Sequence, residues 1–133
     1  YENEVPLKEG VSELLAYLRE NNIPAGIATS NSRELVDLII GRHNIGDYFA
    51  SIRTSCEVEK GKPAPDIYLL VARDLKVEPA RCLVFEDIIQ GIMAAKNARM
   101  KVCAVYDKFS ENEEEEKIRL ADYYIRSFFE ILR

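Results

Sequence analysis

The apolar residues Val11, Leu14, Leu15 and Leu18 recur at three- and four-residue spacing, which predicts a helix over residues 10–21. The run Ile23, Pro24, Ala25, Gly26, Ile27, Ala28 breaks that period and ends in Thr29, Ser30 and Asn31. A stretch apolar on both faces suits a strand covered on both sides, as in a parallel sheet. Asn31, Ser32, Arg33 and Glu34 form a capping-box pattern that opens a second helix. Its apolar face carries Leu35, Leu38 and Ile39, and a stop is expected near Gly41. A short strand is predicted over 49–54. Pro65 suits the first turn of a third helix, with Tyr68, Leu69, Val71, Ala72 and Leu75 on its apolar face.

The second half continues the alternation. Cys82, Leu83, Val84 and Phe85 have the pattern of a buried strand running into Glu86 and Asp87. Ile89, Ile92, Met93 and Ala95 mark a helix, followed by a strand over 101–105. A charged helix is predicted over 110–119, capped by Ser110 and Glu113. On it Glu113 and Lys117, and Glu115 and Arg119, stand four apart and are set to pair along a solvated face. A strand over 121–125 and a short helix over 128–132 close the chain, and residues 1–8 read as a polar lead-in. Helix and strand alternate throughout, without repeat or linker. The predicted fold class is α/β, with residues 1–133 as one layered domain around a mostly parallel sheet.

Composition narrows the function classes. Hydrophobic residues make 47% and charged residues 31% of the 133, a globular balance. The net charge of −5 argues against a nucleic-acid binder, which needs a basic footprint. No apolar run approaches the ~20 residues that span a bilayer. Cys56, Cys82 and Cys103 are scattered and odd in number, and the one histidine is His43. Neither a disulfide framework nor a structural zinc site is expected, and a reducing, cytoplasmic setting is.

Candidate chemistry lies at the predicted strand ends, where open α/β sheets bind ligands. Thr29, Ser30 and Asn31 offer hydroxyls and helix N–H groups to an anion such as phosphate; the alternative, which the frequency of cap residues favours for this cluster alone, is simple helix capping by Asn31 or Ser32. Lys62 stands between Gly61 and the Pro63–Pro65 turn, placed to neutralise a phosphate or a carboxylate, with a surface lysine as the alternative. Glu86 and Asp87 are adjacent acids at the end of a buried strand, costly to place without a partner. A divalent cation with oxygen ligands is the natural partner, and Mg²⁺ fits where phosphate is also present.

Together these clusters resemble the haloacid dehalogenase-like hydrolase superfamily, in its β-phosphoglucomutase and small-metabolite phosphatase branch. The string Ile27 to Asn31 resembles the second motif of that family, Gly61 to Tyr68 the third, and Val84 to Asp87 with Gly91, Ala94 and Ala95 the fourth. The resemblance implies a Rossmann-like three-layer core. It implies phosphate binding at Thr29, Ser30, Asn31 and Lys62, catalytic roles for Thr29 and Lys62, and Mg²⁺ at Glu86 and Asp87. Ile88 stands where this branch usually has serine, and Arg99 where it has glycine. The first motif, an Asp-x-Asp-x-Thr string carrying the nucleophile, has no counterpart in this chain. The resemblance therefore implies a core lacking its N-terminal central strand and its cap domain, completed by an upstream segment or a neighbouring chain. The expected function is Mg²⁺-dependent phosphoryl transfer on a small phosphorylated metabolite, through an aspartyl-phosphate on an Asp outside this chain. The expectation from another class is a non-catalytic module that binds a phosphorylated ligand or assembles with a partner.

Overall fold

Five helices and five strands alternate along residues 8–132, the part of the chain described by a computed structural model. The order is α1 (Val11–Glu20), β1 (Gly26–Thr29), α2 (Arg33–His43), β2 (Ser51–Thr54), α3 (Asp66–Leu75), β3 (Leu83–Glu86), α4 (Ile89–Asn97), β4 (Lys101–Val105), α5 (Glu114–Leu120) and β5 (Tyr123–Ile125). The lead-in expected over 1–8 lies outside the described residues except for Lys8.

Several boundaries differ from the sequence pattern for local reasons. Ser32, not Asn31, caps α2, accepting the Leu35 N–H at 3.2 Å. That helix runs through Gly41, because Asn44 supplies the left-handed turn that ends it (φ 53°). The helix expected from Ser110 begins at Glu114. Residues 108–113 form a tighter 3₁₀ stretch in which Ser110 leaves helical geometry. The last helix reduces to one 3₁₀ turn, Phe128–Glu130. Arg99 adopts φ 65° between α4 and β4, which explains the glycine expected at that position: only glycine takes this conformation without a steric cost.

Every strand pair is parallel. β1 lies beside β2 with Gly26 opposite Ser51 and Thr29 opposite Thr54. β3 pairs with β4, Glu86 opposite Ala104, and β4 pairs with β5. Side chains alternate across β4, and the two faces of the sheet follow from that period. Val102 and Ala104 join Ile67, Tyr68, Ala72, Val84, Ile92 and Ala95 in the core under α3 and α4. Cys103 and Val105 join Leu14, Ile125 and Phe128 on the other face, under α1. Helices thus cover both faces, the three-layer arrangement expected.

Among the described residues no ladder joins β1 to β3, and the strands form a pair and a separate triplet. β1 is accordingly only half-buried along its length. Helix α3 holds the two groups together. It packs on β1 and β2, while its Ile67, Tyr68 and Ala72 enter the core beneath β3 and β4.

The free side of β2 is closed by charge. Arg33 donates to the Ile52 carbonyl (2.7 Å) and to Glu57 (2.9 Å). Arg53 donates to Glu57 (2.9 Å) and, through Nε, to Asp74 (2.7 Å). Such cover is one way proteins blunt an exposed strand edge. The Thr54 N–H and then Arg53 hold the Glu57 carboxyl down to about 2. Arg53 and then Ser51 hold Asp74 down to about 2. Carboxyls depressed on folding stabilise the fold above their ordinary values, 4.5 and 3.8, and that contribution disappears as pH falls towards 2. Urea unfolding of Arg53→Gln should therefore show its largest deficit against the wild type at pH 6, with the gap narrowing as the pH falls towards 2. A gap independent of pH would show that the network carries no linkage.

Candidate active site

The carboxyl ends of β1 and β3 meet at one ammonium. Lys62, on the loop before α3, donates from Nζ to the Ala28 carbonyl (3.2 Å) and to Glu86 Oε2 (2.7 Å). Its side chain is 8% exposed and that of Glu86 9%. The loop that carries it is stiffened by Pro63 and Pro65, and the Ala64 N–H closes back on the Gly61 carbonyl (3.0 Å). Tyr68, one turn into α3, gives its hydroxyl to the same Glu86 oxygen. Burial and the Glu86 charge push the Tyr68 phenol far above its usual range, so it stays a donor.

Glu86 takes this pose because Gly91 makes room. A Cβ on Gly91 would fall on the Glu86 carboxyl group. The other carboxylate oxygen, Oε1, accepts the Asp87 N–H at 3.2 Å. Asp87 itself faces Lys8 (3.7 Å), which also holds Asp107 (3.2 Å) and the Tyr106 carbonyl (3.2 Å). Burial and the neighbouring Glu86 charge push the Asp87 carboxyl up. That direction marks an anion short of positive charge.

The hydroxyl cluster occupies the turn that follows β1. Thr29 is half-buried, and its Oγ1 accepts the Asn31 N–H (3.0 Å), folding the turn towards α2. With Ser32 as the cap, Ser30 and Asn31 stand outside the capping bond and are exposed. Of the residues singled out in the sequence, Lys62 and Glu86 touch directly. Thr29 follows the carbonyl that Lys62 binds, and Asp87 follows Glu86. Ser30 and Asn31 lie further out on the turn.

The oxygens left for a cation are those of Asp87 and Glu86 Oε1. Among the described residues no three His, Cys, Asp or Glu side chains gather into a metal cage. Mg²⁺ is held characteristically by one or two carboxylates, with waters and substrate phosphate completing the shell, and the Glu86–Asp87 pair fits that mode.

The sequence reading missed Tyr68, Lys8, Asp107 and Lys117. Tyr68 was hidden in an apolar stripe, although a tyrosine among aliphatic residues is itself a signal of a polar task. Lys117 was expected to pair with Glu113 on the surface. It is 1% exposed and turns inward instead. Arg119 pairs with Glu116 rather than Glu115.

The family profile described as haloacid dehalogenase-like hydrolase matches residues 1–105. The chain is 42% identical over 97 residues to the bifunctional riboflavin kinase/FMN phosphatase of Arabidopsis thaliana, covering 72% of this chain and 26% of that protein. The structure of Rhodobacter sphaeroides CbbY in complex with xylulose 1,5-bisphosphate superposes with TM-score 0.85 at 30% identity, over 96% of this chain and 57% of that one. The β-phosphoglucomutase of Clostridium difficile superposes with TM-score 0.79 at 27% identity, over 98% and 53%. The chain belongs to the haloacid dehalogenase-like hydrolases, in their branch of β-phosphoglucomutases and small-metabolite phosphatases. It spans between 26% and 56% of the length of the curated relatives it matches.

The Gly91 contact is directly testable. Gly91→Ala must push Glu86 off Lys62 and Tyr68, and overpacking of this kind costs about 1–3 kcal/mol. Chemical denaturation should show that loss; a variant as stable as the wild type would place Glu86 elsewhere.

Proposed function

We propose that this chain is the phosphate- and metal-binding part of a Mg²⁺-dependent phosphatase acting on a small phosphorylated metabolite. The observation that carries the reading is Lys62, whose ammonium joins the end of the hydroxyl-bearing strand to the acid pair through Ala28 and Glu86. Family membership and relatives that bear phosphatase names support it.

In this reading Thr29, with Ser30 and Asn31, holds the phosphoryl oxygens at the start of α2, where N–H groups converge on an anion. Lys62 balances the charge that accumulates when an oxyanion approaches Glu86 and Asp87. Tyr68 and the Asp87 N–H fix the Glu86 carboxylate in place, so it does not have to reorganise during reaction. Mg²⁺, held by Glu86 and Asp87, supplies further charge neutralisation at the phosphoryl group. The nucleophile is an Asp from outside this chain: its carboxylate attacks phosphorus as the P–O bond to the metabolite breaks, the departing alkoxide takes a proton and leaves as the alcohol, and water then cleaves the aspartyl-phosphate to inorganic phosphate and the free Asp. The strand carrying that Asp pairs in the opening between β1 and β3. Its backbone would pair with the facing edges of β1 and β3.

A steady-state assay of phosphate release by the full-length protein tests the assignment. Lys62→Ala and Asp87→Asn should each lower kcat by about 10²- to 10³-fold, as loss of a charge-stabilising group does. Folded variants with unchanged Mg²⁺-dependent turnover would refute the roles. A wild-type protein that binds phosphate and releases none would point to the binding module instead.

A further inference from the structure

Beneath Asp87 lies a second buried lysine. Lys117, on α5, is 1% exposed, and its side-chain nitrogen is bonded inside the fold. Its Nζ donates to the Val105 carbonyl at the end of β4 (2.9 Å) and to Ser110 Oγ (3.2 Å). Ser110, 5% exposed, donates its own hydroxyl to the Asp87 backbone carbonyl (3.1 Å). Ser110 reaches inward because its backbone leaves helical geometry (φ −122°, ψ 25°) within the 108–113 turn. Four segments meet along this path: the end of β3, the end of β4, the 108–113 turn and α5.

Packing alone does not call for a lysine here. An apolar side chain of similar length fills such a space without the desolvation cost of a buried charge. Among the described residues no carboxylate bonds to the Lys117 nitrogen, whose partners are a carbonyl and a hydroxyl. Burial pushes the Lys117 pKa down; the charges of Asp87 and Asp107 work against that from a distance, and Lys8 adds to it. Metal-binding carboxylates depend on groups one bond further out to set their orientation.

We propose that Lys117 and Ser110 form a strut that positions Asp87 for the cation, holding its backbone from the side opposite the ligand. Lys117 and Ser110 are positioning residues, acting through the Asp87 carbonyl. The inference rests on the reading of Glu86 and Asp87 as the Mg²⁺ site.

Calorimetric titration of the full-length protein with Mg²⁺ alone tests it. Ser110→Ala and Lys117→Met should each weaken Mg²⁺ binding by about 10- to 100-fold, the usual effect of removing such support. Ser110→Thr, which keeps the hydroxyl, should stay within about threefold of the wild type, and the double variant should bind no worse than the weaker single, because both act on one path. In the metal-free protein, the Asp87 carbonyl ¹³C resonance should move in Ser110→Ala and hold in Ser110→Thr. If Lys117→Met fails to fold, the Ser110 pair decides. Ser110→Ala binding Mg²⁺ as the wild type does, with the Asp87 resonance unmoved, overturns the strut and leaves the metal site standing. A wild-type protein that binds no Mg²⁺ overturns both.

Discussion

The buried contact between Lys62 and Glu86 is the constraint on which this end of the molecule depends. Among the described residues two groups of parallel strands share helix α3 but no ladder, and the lysine ties their carboxyl ends through Ala28 and Glu86. A buried pair of this kind is expensive to assemble, because both charges leave water. It persists when further hydrogen bonds saturate the carboxylate, and Tyr68 and the Asp87 N–H do that. The pair is therefore better understood as fixing geometry than as adding stability. Its Glu86 member lies on the Val84 face of β3 and on Gly91, so α3, α4 and β3 must all be in place before it forms.

A related device holds the neighbouring strand ends. Lys117 connects β4 to the Asp87 backbone through Ser110, as Lys62 connects β1 to the Glu86 side chain. Adjacent acids are thereby held by different means, one by its carboxylate and the other by its main chain. The Asp87 carboxylate faces Lys8 through Oδ2 at 3.7 Å. Buried lysines on one side of an acid pair and solvent on the other produce a pocket edge with fixed charges, which suits an anion bound together with a cation.

Much of this was legible in the sequence, for reasons that differ by element. The continuous apolar run Val102 to Val105 and the three- and four-residue spacing in α1 and α3 mark burial directly, so the strands and helices with strong patterns fall where expected. Boundaries set by single residues did not. Asn44 ends α2 by its left-handed backbone, and Ser110 exchanges a helix cap for a bond to Asp87, choices made by tertiary contacts. The clusters at Thr29, Lys62 and Glu86–Asp87 were visible because polar residues interrupt apolar runs at strand ends. Lys117 was not, because a lysine at helical spacing from glutamates has the pattern of an exposed ion pair. That no ladder joins β1 to β3 among the described residues agrees with what the family resemblance implied; no pattern along this chain marks it.

A double-mutant cycle on Lys62 and Glu86 tests the central claim most directly. Unfolding free energies are measured for the wild type, Lys62→Met, Glu86→Gln and the double variant. Each single change strands a buried partner, so the singles should be the least stable, the double variant should recover part of the loss, and the coupling should exceed about 1.5 kcal/mol. Additivity within about 0.5 kcal/mol would mean that the two groups do not interact, and that the strand ends are held together by something else.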